Sequence, residues 1–198
     1  MKIYLASTSP RRQKLLRLLG INFEILKPKF IEPDIHITFT PQKFARTMAF
    51  LKSLSVLRNK KIKSGLIIGM DTAVIIGNHI LGKPRNTREA KQMLKLLSGK
   101  THQVITGVCV IKLPTVKIVT DAEATFVSFR KLSDREIDAY IATSEPFDKA
   151  GAYAIQGKAA TFVKKVRGCY LNVIGLPINL LLSLLYQSGW EHWQSGRF

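Results

Sequence analysis

The sequence predicts an α/β fold with a mixed sheet and flanking helices. Short apolar runs of the kind that form buried strands alternate along the chain with segments that carry helix start signals. Apolar runs joined by tight turns add hairpins to this alternation, so parallel and antiparallel pairing are both expected. The chain has 198 residues. Since domains of about 150 residues are typical, one domain over residues 1–198 is expected.

Helices in the N-terminal part of the chain are expected where a hydroxyl residue precedes proline, because the hydroxyl can cap the helix and proline fits its first position. The two pairs are Ser9-Pro10 and Thr40-Pro41. The apolar run Ile3–Ala6 predicts a strand before the first helix, and Gly20 is expected to end that helix. The second helix is expected to run past Lys52 towards Arg58.

The middle and C-terminal parts of the chain continue the alternation. Residues 66–70 predict a buried strand that ends at Asp71, and the turn Gly77-Asn78 predicts a hairpin between residues 73–76 and 79–81. The remaining predicted elements are a helix over 88–97 capped by Thr87, strands over 102–113 and 116–129, a helix opened by a capping box at Ser133 and ending near Thr143, a strand over 160–166, and a helix over 178–187.

Charge is the most unusual property of the sequence. The chain carries 31 Lys and Arg residues against 13 Asp and Glu residues, which gives a formal net charge of +18. Such a charge favours anionic partners, which include nucleotides, nucleic acid and acidic lipid. A solvated basic surface without a partner is the structural alternative.

Neither export nor membrane insertion is predicted. The start of the chain has no apolar core of a signal peptide, and the longest apolar stretch, residues 174–186, is shorter than the ~20 residues of a membrane span. The cysteines, Cys109 and Cys169, lie far apart and outside any metal-binding spacing. We therefore expect a soluble protein of the reducing cytoplasm that does not bind membranes.

A phosphate-binding motif is indicated at the start of the first helix. Ser7, Ser9, Arg11 and Arg12 stand between the first strand and this helix. A helix N-terminus has unpaired N–H groups and a partial positive charge, and two arginines with two hydroxyls can hold a phosphate there. A capped helix with surface arginines is the alternative.

A carboxylate and a lysine are further candidates for the site. Asp71 and Thr72 follow a predicted strand, and open α/β sheets bind ligands at the carboxyl ends of their strands. Asp71 can hold a metal or orient a water, or it can cap the next turn. Among the 13 acidic residues, Glu32 and Asp71 are the best candidates for binding a hard cation such as Mg²⁺. Lys83 follows a glycine that can direct it inward, although a solvated lysine is the alternative.

A third candidate is the segment from Asp148 to Gly157, which contains two glycines and several small residues. A side-chain amide both donates and accepts hydrogen bonds, so Gln156 can read the edge of a nucleobase. A tight structural turn with Tyr153 in the core is the alternative. The four histidines show no ligand spacing and are interpreted as surface or structural residues.

Six short blocks stand in one order along nearly the whole chain. They are LASTSPRR from Leu5, IGMDT from Ile68, LGKP from Leu81, LSGKTH from Leu97, DKAGAYAIQG from Asp148 and VIGLP from Val173. Each block is a weak signal alone. Together, in this order, they make the chain resemble the Maf family of nucleoside triphosphate pyrophosphatases.

The resemblance implies a fold similar to that of inosine triphosphatase, with two lobes around a central cleft. It implies hydrolysis of a nucleoside triphosphate to monophosphate and pyrophosphate with Mg²⁺ or Mn²⁺, in a cytoplasmic homodimer. It assigns Asp71 as general base and metal ligand, with the charge of Lys52 and Lys83 assisting catalysis. The implied phosphate and metal cluster consists of Ser7, Arg11, Arg12, Glu32, Lys52 and Lys83. Arg11, Thr72 and Gln156 fall on positions of base choice and match the dTTP/UTP subgroup.

Three positions depart from the family pattern, which usually has Ala at Met70, Gly at Ala154, and Asp or Ser at Cys169. Two other functions stay open. The charge is compatible with a nucleic-acid-binding or division-linked protein without turnover, although the sequence has no helix-turn-helix, zinc motif or ribonucleoprotein-type aromatic run. A purine-preferring pyrophosphatase of the inosine triphosphatase type is the second alternative, and the Ser-x-Ser-Pro-Arg-Arg block from Ser7 to Arg12 argues against it.

Overall fold

The computed structural model describes residues 1–29, 40–57 and 62–191. The strands are β1 Ile3–Ala6, β2 Glu24–Ile25, β3 Gly65–Ile76, β4 His79–Leu81, β5 Thr101–Leu113, β6 Lys117–Phe129 and β7 Val163–Arg167. The α-helices are α1 Pro10–Leu18, α2 Pro41–Leu57, α3 Thr87–Leu97, α4 Asp134–Ile141, α5 Tyr170–Ile174 and α6 Ile178–Gln187. Short 3-10 helices cover Glu145–Asp148, Ala150–Ala152 and Lys158–Phe162. Among the helices of these described ranges, none is long and apolar enough to cross a membrane.

Both kinds of strand pairing occur in the seven-stranded sheet. Its order is β2-β1-β3-β5-β6-β7, and β4 pairs with β3 outside this path. β1 is parallel to β2 and to β3, whereas β4 is antiparallel to β3 and β7 is antiparallel to β6. The prediction of an α/β fold with a mixed sheet and flanking helices is therefore confirmed.

The chain divides into two compact units. The first consists of the described parts of residues 1–71, 107–122 and 175–198, and the second of residues 72–106 and 123–174. The division passes through β3, β5 and β6, so each of these strands contributes to both units. A single domain, and a cleft between two lobes, stay predictions.

The core of the first unit lies on both faces of its strands. Side chains alternate between the two faces of a strand. Leu5 of β1 packs in one cluster with Leu16 of α1 and Leu184 of α6, whereas Ala6 packs in a second cluster with Ala49 of α2. Leu5 and Leu16 are fully buried, and burial of such a side chain contributes about 1.5–3 kcal/mol. The helices α1 and α6 therefore cover one face, and α2 covers the other.

Two glycines allow α2 to pack closely on this sheet. A Cβ atom at Gly69 in β3 or at Gly107 in β5 would overlap backbone atoms of α2. Residues i and i+2 of a strand share a face, so Asp71 points to the same side as the Gly69 position, towards α2. Close packing of α2 therefore brings Lys52 of this helix to Asp71.

An aromatic cluster lies in the core of the second unit. His102 of β5, Phe129 of β6 and Tyr153 meet edge to face, with ring centroids 4.8 to 5.4 Å apart. The Nε2 atom of His102 lies 2.8 Å from the Tyr153 hydroxyl. Burial lowers the pKa of His102 to about 4, so the imidazole is neutral at physiological pH.

β3 continues past Asp71, where the sequence predicted the end of a strand. Its second half pairs with β4 through Val74 and Leu81 at one end and Ile76 and His79 at the other. Pairing with β4 therefore satisfies backbone hydrogen bonds of the residues after Asp71, so the strand continues within the sheet. Asp71 lies within a strand, so the expectation that it marks a carboxyl end is wrong, while the predicted hairpin is confirmed.

Two smaller boundaries also differ from prediction. Asn86 rather than Thr87 caps α3, because the Asn86 side chain accepts a hydrogen bond from the N–H of Glu89 at 2.9 Å. Residues 158–162 form a 3-10 helix, so the last strand begins at Val163. The predicted capping box of α4 and the predicted bounds of α6 are confirmed.

Candidate active site

Three hydrogen bonds fix Arg12 at the start of α1. Its Nε donates to the carbonyl of Gly175 at 2.8 Å. Its Nη1 donates to the carbonyl of Met70 at 3.0 Å and to the hydroxyl of Ser7 at 3.2 Å. Because two of the acceptors are backbone carbonyls, the position of the guanidinium follows from the fold of the first unit.

Arg12 carries a positive charge at neutral pH. Burial lowers the pKa of Arg12 to about 10, while the charge of Asp71 raises it and the charge of Arg11 lowers it. A guanidinium with this pKa is protonated at neutral pH. Arg11 lies in the same first turn of α1, as predicted, and it is half-buried. The pair of arginines therefore presents two cations at this helix start.

Ser7 offers a hydroxyl hydrogen at the same helix start. Its oxygen accepts hydrogen bonds from the N–H of Ser9 at 3.3 Å and from Nη1 of Arg12 at 3.2 Å. Both bonds use lone pairs of the oxygen, so the hydrogen is the part of Ser7 that can be donated to an anion. Ser9 stands at the predicted N-cap position, but its side chain makes no capping bond to the helix.

Lys52 of α2 forms an ion pair with Oδ1 of Asp71 in β3. The exposed fractions of the two side chains are 19% and 13%. An ion pair that is largely shielded from water interacts more strongly than a surface pair, because the effective dielectric constant is lower. We call Ser7, Arg12, Lys52 and Asp71 the α1 charge site. It joins two of the predicted motifs within the first unit.

Thr72 takes part in a directed chain of hydrogen bonds in the second unit. The Oγ1 of Thr106 donates to the carbonyl of Asn172 at 3.2 Å and lies 2.9 Å from the Oγ1 of Thr72. A carbonyl only accepts and a hydroxyl has one hydrogen, so both bonds form only when Thr72 donates to Thr106. Towards a ligand, the Thr72 oxygen is then an acceptor.

The segments that carry Lys83 and Gln156 are linked in the second unit. The N–H of Gly151 donates to the carbonyl of Gly82 at 3.0 Å. Gly151 has a φ of 69°, and a Cβ there would overlap the side chain of Val74, so only glycine fits this approach. Lys83 and Gln156 are both exposed. Their roles towards substrate stay predictions.

The predicted metal site depends on Asp71 and Glu32. Glu32 lies outside the described residues. Over residues 1–29, 40–57 and 62–191, no group of three or more His, Cys, Asp or Glu side chains is placed to hold a metal. Mg²⁺ commonly binds through one or two carboxylates together with substrate phosphates and water. Asp71 offers one such carboxylate, and metal binding there stays a prediction.

Three polar residues that organise the second unit, Tyr140, Glu145 and Asn172, are not among the residues predicted from the sequence. Asn172 is fully buried, and its Nδ2 donates to the carbonyl of Val104 at 2.9 Å and to the Oγ1 of Thr125 at 3.0 Å. Tyr140 and Glu145 bond to backbone on either side of Gln156. A polar residue within an apolar stretch was the available signal for Asn172, and the scarcity of acidic residues was the signal for Glu145.

Comparison with known proteins identifies the family. The sequence model of the Maf-like protein family matches residues 2–188. The chain belongs to this family. A protein of Carboxydothermus hydrogenoformans named dTTP/UTP pyrophosphatase is 47% identical over 190 residues, which are 96% of this chain and 100% of that protein.

Two further relatives carry the same name. The protein of Alkaliphilus oremlandii is 50% identical over 177 residues, which are 89% of this chain and 91% of that protein. The protein of Caldicellulosiruptor saccharolyticus is 46% identical over 192 residues, or 96% of each chain. The family match over residues 2–188 includes the position of every candidate site residue.

The three departures from the Maf pattern leave the hydrogen bonds of the site intact. Met70 is fully buried in the core under α1 and α6, on the face away from α2. At Ala154 the backbone N–H donates to the Tyr140 hydroxyl at 3.3 Å, and at Cys169 the backbone carbonyl accepts from Thr125 at 3.0 Å. Because the backbone makes both bonds, a change of side chain does not remove them.

Proposed function

We propose that this Maf-like protein hydrolyses dTTP and UTP to the monophosphate and pyrophosphate, and so clears these nucleotides from the nucleotide pool. Relatives with that name over nearly the full chain support the proposal. The single structural observation that carries it is the shielded Lys52–Asp71 pair. This pair adjoins the Met70 carbonyl that holds Arg12.

The reaction breaks the bond between the α-phosphorus and the oxygen that bridges it to the β-phosphorus. A water molecule attacks the α-phosphorus, its proton passes to a base, and pyrophosphate leaves with the bridging oxygen. Negative charge develops on the leaving oxygens, so fixed cations near them lower the barrier.

Each residue of the α1 charge site has a role in this reaction. Asp71 orients the water and accepts its proton. Lys52 holds the carboxylate in place and adds positive charge beside it. Arg12 adds a fixed positive charge beside the phosphate oxygens, and Ser7 donates its hydroxyl hydrogen to one of them. Lys83 adds a further cation to the leaving group.

Base choice is assigned to Arg11, Thr72 and Gln156. Uracil and thymine carry an N3–H donor between two carbonyl acceptors, whereas cytosine has an acceptor at N3. The Thr72 oxygen can accept from the N3–H of uracil. The amide of Gln156 can both donate to a carbonyl of the base and accept from its N3–H. A site whose polar groups match the donors and acceptors of one base disfavours a base with a different pattern, because buried polar groups of the site are then left without hydrogen bonds.

The proposed cofactor is Mg²⁺ or Mn²⁺, held by Asp71 and Glu32 with the phosphates of the nucleotide. Such an ion neutralises charge on the phosphate oxygens. Arg12 and Lys52 supply positive charge to the site in addition to the ion. Dependence of the reaction rate on added Mg²⁺ or Mn²⁺, after treatment with a chelator, tests this part of the proposal.

The proposed setting is the cytoplasm, with the protein as a homodimer. The homodimer follows from the family resemblance alone, whereas the cytoplasmic setting follows from the resemblance and from the cysteine spacing of the sequence. Light scattering coupled to size-exclusion chromatography gives the oligomeric state directly. Binding to nucleic acid is not required for the reaction.

A panel of nucleoside triphosphates tests the function. Purified protein with Mg²⁺ or Mn²⁺ is expected to release pyrophosphate and monophosphate, fastest from dTTP and UTP. Orthophosphate without pyrophosphate, measured without added pyrophosphatase, contradicts the reaction. The high basic charge favours the alternative of a nucleic-acid-binding protein without turnover. That alternative predicts DNA binding that weakens steeply with salt, together with no hydrolysis of any triphosphate.

A further inference from the structure

The turn that carries Gln156 is held on both sides by side chains from elsewhere in the second unit. The hydroxyl of Tyr140 accepts a hydrogen bond from the N–H of Ala154 at 3.3 Å and donates to Oε1 of Glu145 at 3.0 Å. Oε2 of Glu145 accepts from the N–H of Lys158 at 3.2 Å. The pair therefore bonds the backbone two residues before and two residues after Gln156. We call residues 154–158 the Gln156 turn.

The Glu145 carboxylate packs directly against this turn. A Cβ atom at Gly157 would overlap the carboxylate, so glycine is needed for the contact. Within the turn, the N–H of Gly157 donates to the carbonyl of Ala154 at 3.0 Å. That bond alone closes a short loop, whereas the bonds from Tyr140 and Glu145 tie the loop to α4 and to the 3-10 helix Glu145–Asp148.

Both oxygens of Glu145 are committed to this arrangement. Burial, and then the hydrogen bond to Glu145, raise the pKa of Tyr140, so its hydroxyl stays protonated and remains a donor. Tyr140 is buried, and Glu145 is half-buried. Because each oxygen of the Glu145 carboxylate already accepts a hydrogen bond, Glu145 is suited to fix the backbone of the Gln156 turn rather than to bind a metal or a substrate.

The backbone around the turn is strained in a way that needs such support. Ser144, directly before Glu145, has a φ of 60°, and Ala152 has a φ of 59°. Left-handed backbone costs a residue with a side chain about 1–2 kcal/mol. Strain of this kind persists where the surrounding contacts determine the conformation, and it is common at ligand-binding sites.

We infer that Glu145, together with Tyr140, is a positioning residue for base selection. It fixes the Gln156 turn so that the exposed amide of Gln156 meets the edge of the nucleobase in one orientation. The inference rests on the proposed function and on the assignment of Gln156 to base choice. Without the Glu145 bonds, Gln156 is still present but its backbone is free to move. Discrimination between bases then falls more than turnover does.

Glu145→Gln is the decisive variant, because an amide has one acceptor oxygen and cannot accept from both the Tyr140 hydroxyl and the Lys158 N–H, so one of these two bonds must be lost or reversed. We expect the ratio of kcat/KM for UTP to that for CTP to fall about 3- to 10-fold, the value of one neutral hydrogen bond. The kcat with UTP changes by a smaller factor. Glu136→Gln is the matched control, since Glu136 in α4 bonds Arg130 and Ser133 rather than the turn.

Two measurements separate positioning from a merely structural role. In a Gln156→Ala background, Glu145→Gln is expected to cause no further loss of the UTP preference, because the two residues act through one amide. Hydrogen exchange of the amides of residues 154–158 is expected to be faster in Glu145→Gln than in the wild type. Tyr140→Phe, which removes a single hydroxyl, shifts both readouts in the same direction and replaces Glu145→Gln if that variant does not fold.

An unchanged ratio of UTP to CTP in Glu145→Gln overturns the inference. So does a loss that adds to that of Gln156→Ala, or unchanged exchange in the turn. A wild-type protein that releases no pyrophosphate from any triphosphate overturns the proposed function instead. The exchange measurement then still decides whether Glu145 holds the turn, because it needs no substrate.

Discussion

The α1 charge site and the Gln156 turn are both built to hold polar side chains, but different parts of the protein hold them. Arg12 is anchored by the carbonyls of Met70 and Gly175, which belong to the backbone of the first unit. The Gln156 turn is anchored by two side chains, Tyr140 and Glu145. The first arrangement comes with the fold, whereas the second depends on single residues. Substitutions in the first should therefore change the rate, and substitutions around the second should change which base is preferred.

Asp71→Asn is expected to have the largest effect. The amide keeps the shape of the carboxylate but cannot accept the proton of the attacking water, and loss of a general base lowers kcat about 10²–10⁴-fold. Steady-state release of pyrophosphate from dTTP measures the loss, and thermal unfolding shows that the variant folds. Asp121→Asn, at an exposed position of β6 in the same unit, is the control. A kcat above half the wild-type value contradicts the role of Asp71.

Arg12→Lys comes next in size. Lysine keeps the charge but lacks the planar fork that reaches Gly175, Met70 and Ser7 at once. Charge-assisted hydrogen bonds are worth about 1.5–3 kcal/mol, so kcat/KM for UTP is expected to fall about 10- to 100-fold. The ratio of kcat/KM for UTP to that for CTP should stay constant, because the proposed function places the phosphates, and not the base, at this site.

Arg135→Lys, on the exposed side of α4, is the control for the charge substitution. A change in base preference in Arg12→Lys would break the division between rate and selectivity that the two regions suggest.

The same difference explains what could be predicted from sequence. The cation and carboxylate positions of the α1 charge site depend on regular elements, and these have clear local signals. The Ser9-Pro10 pair marks the start of α1, and the apolar run before Asp71 marks β3. Where β3 ends was not predictable, because the pairing with β4 determines it and the local sequence does not.

The contacts that Tyr140 and Glu145 make with the Gln156 turn could not be predicted from the sequence for a related reason. Tyr140 and Glu145 are 14 and 13 residues away from the atoms they bond, so no local pattern links them. Asn86 rather than Thr87 as the cap of α3 shows the same limit on a smaller scale. Both residue types cap helices well, and only the backbone conformation decides between them.

Acid stability gives a third test, because His102 belongs to the unit that contains the turn. Its pKa of about 4 in the folded protein lies below the ordinary value of 6.5. Because the folded protein holds His102 in its neutral form, the depressed pKa contributes to the free energy of unfolding. This contribution is complete above pH 6.5 and is lost as the pH falls from 6.5 towards 4. At pH 5 the loss is about 2 kcal/mol, or about 30-fold in the unfolding equilibrium.

His102→Phe removes this titration and keeps an aromatic ring. Urea unfolding at pH 7 and pH 5 is expected to show a smaller drop in the free energy of unfolding for the variant than for the wild type. His79→Phe, at an exposed position of β4, should behave as the wild type does. Equal drops in all three proteins are incompatible with a depressed His102 pKa.

Thr106→Val has the smallest expected effect and tests the second unit apart from the Gln156 turn. In the wild type, Thr72 donates to Thr106, which leaves the Thr72 oxygen as an acceptor for the N3–H of uracil. Valine has the same shape but no hydroxyl, so the hydrogen of Thr72 can turn towards the ligand and pair with N3 of cytosine. We expect the ratio of kcat/KM for UTP to that for CTP to fall about 3- to 10-fold.

Thr106→Ser is the control, because it keeps the hydroxyl and should keep the ratio of kcat/KM for UTP to that for CTP. If Thr106→Val and Thr106→Ser lower this ratio equally, the base preference depends on packing around residue 106 and not on the direction of the Thr72 hydrogen bond.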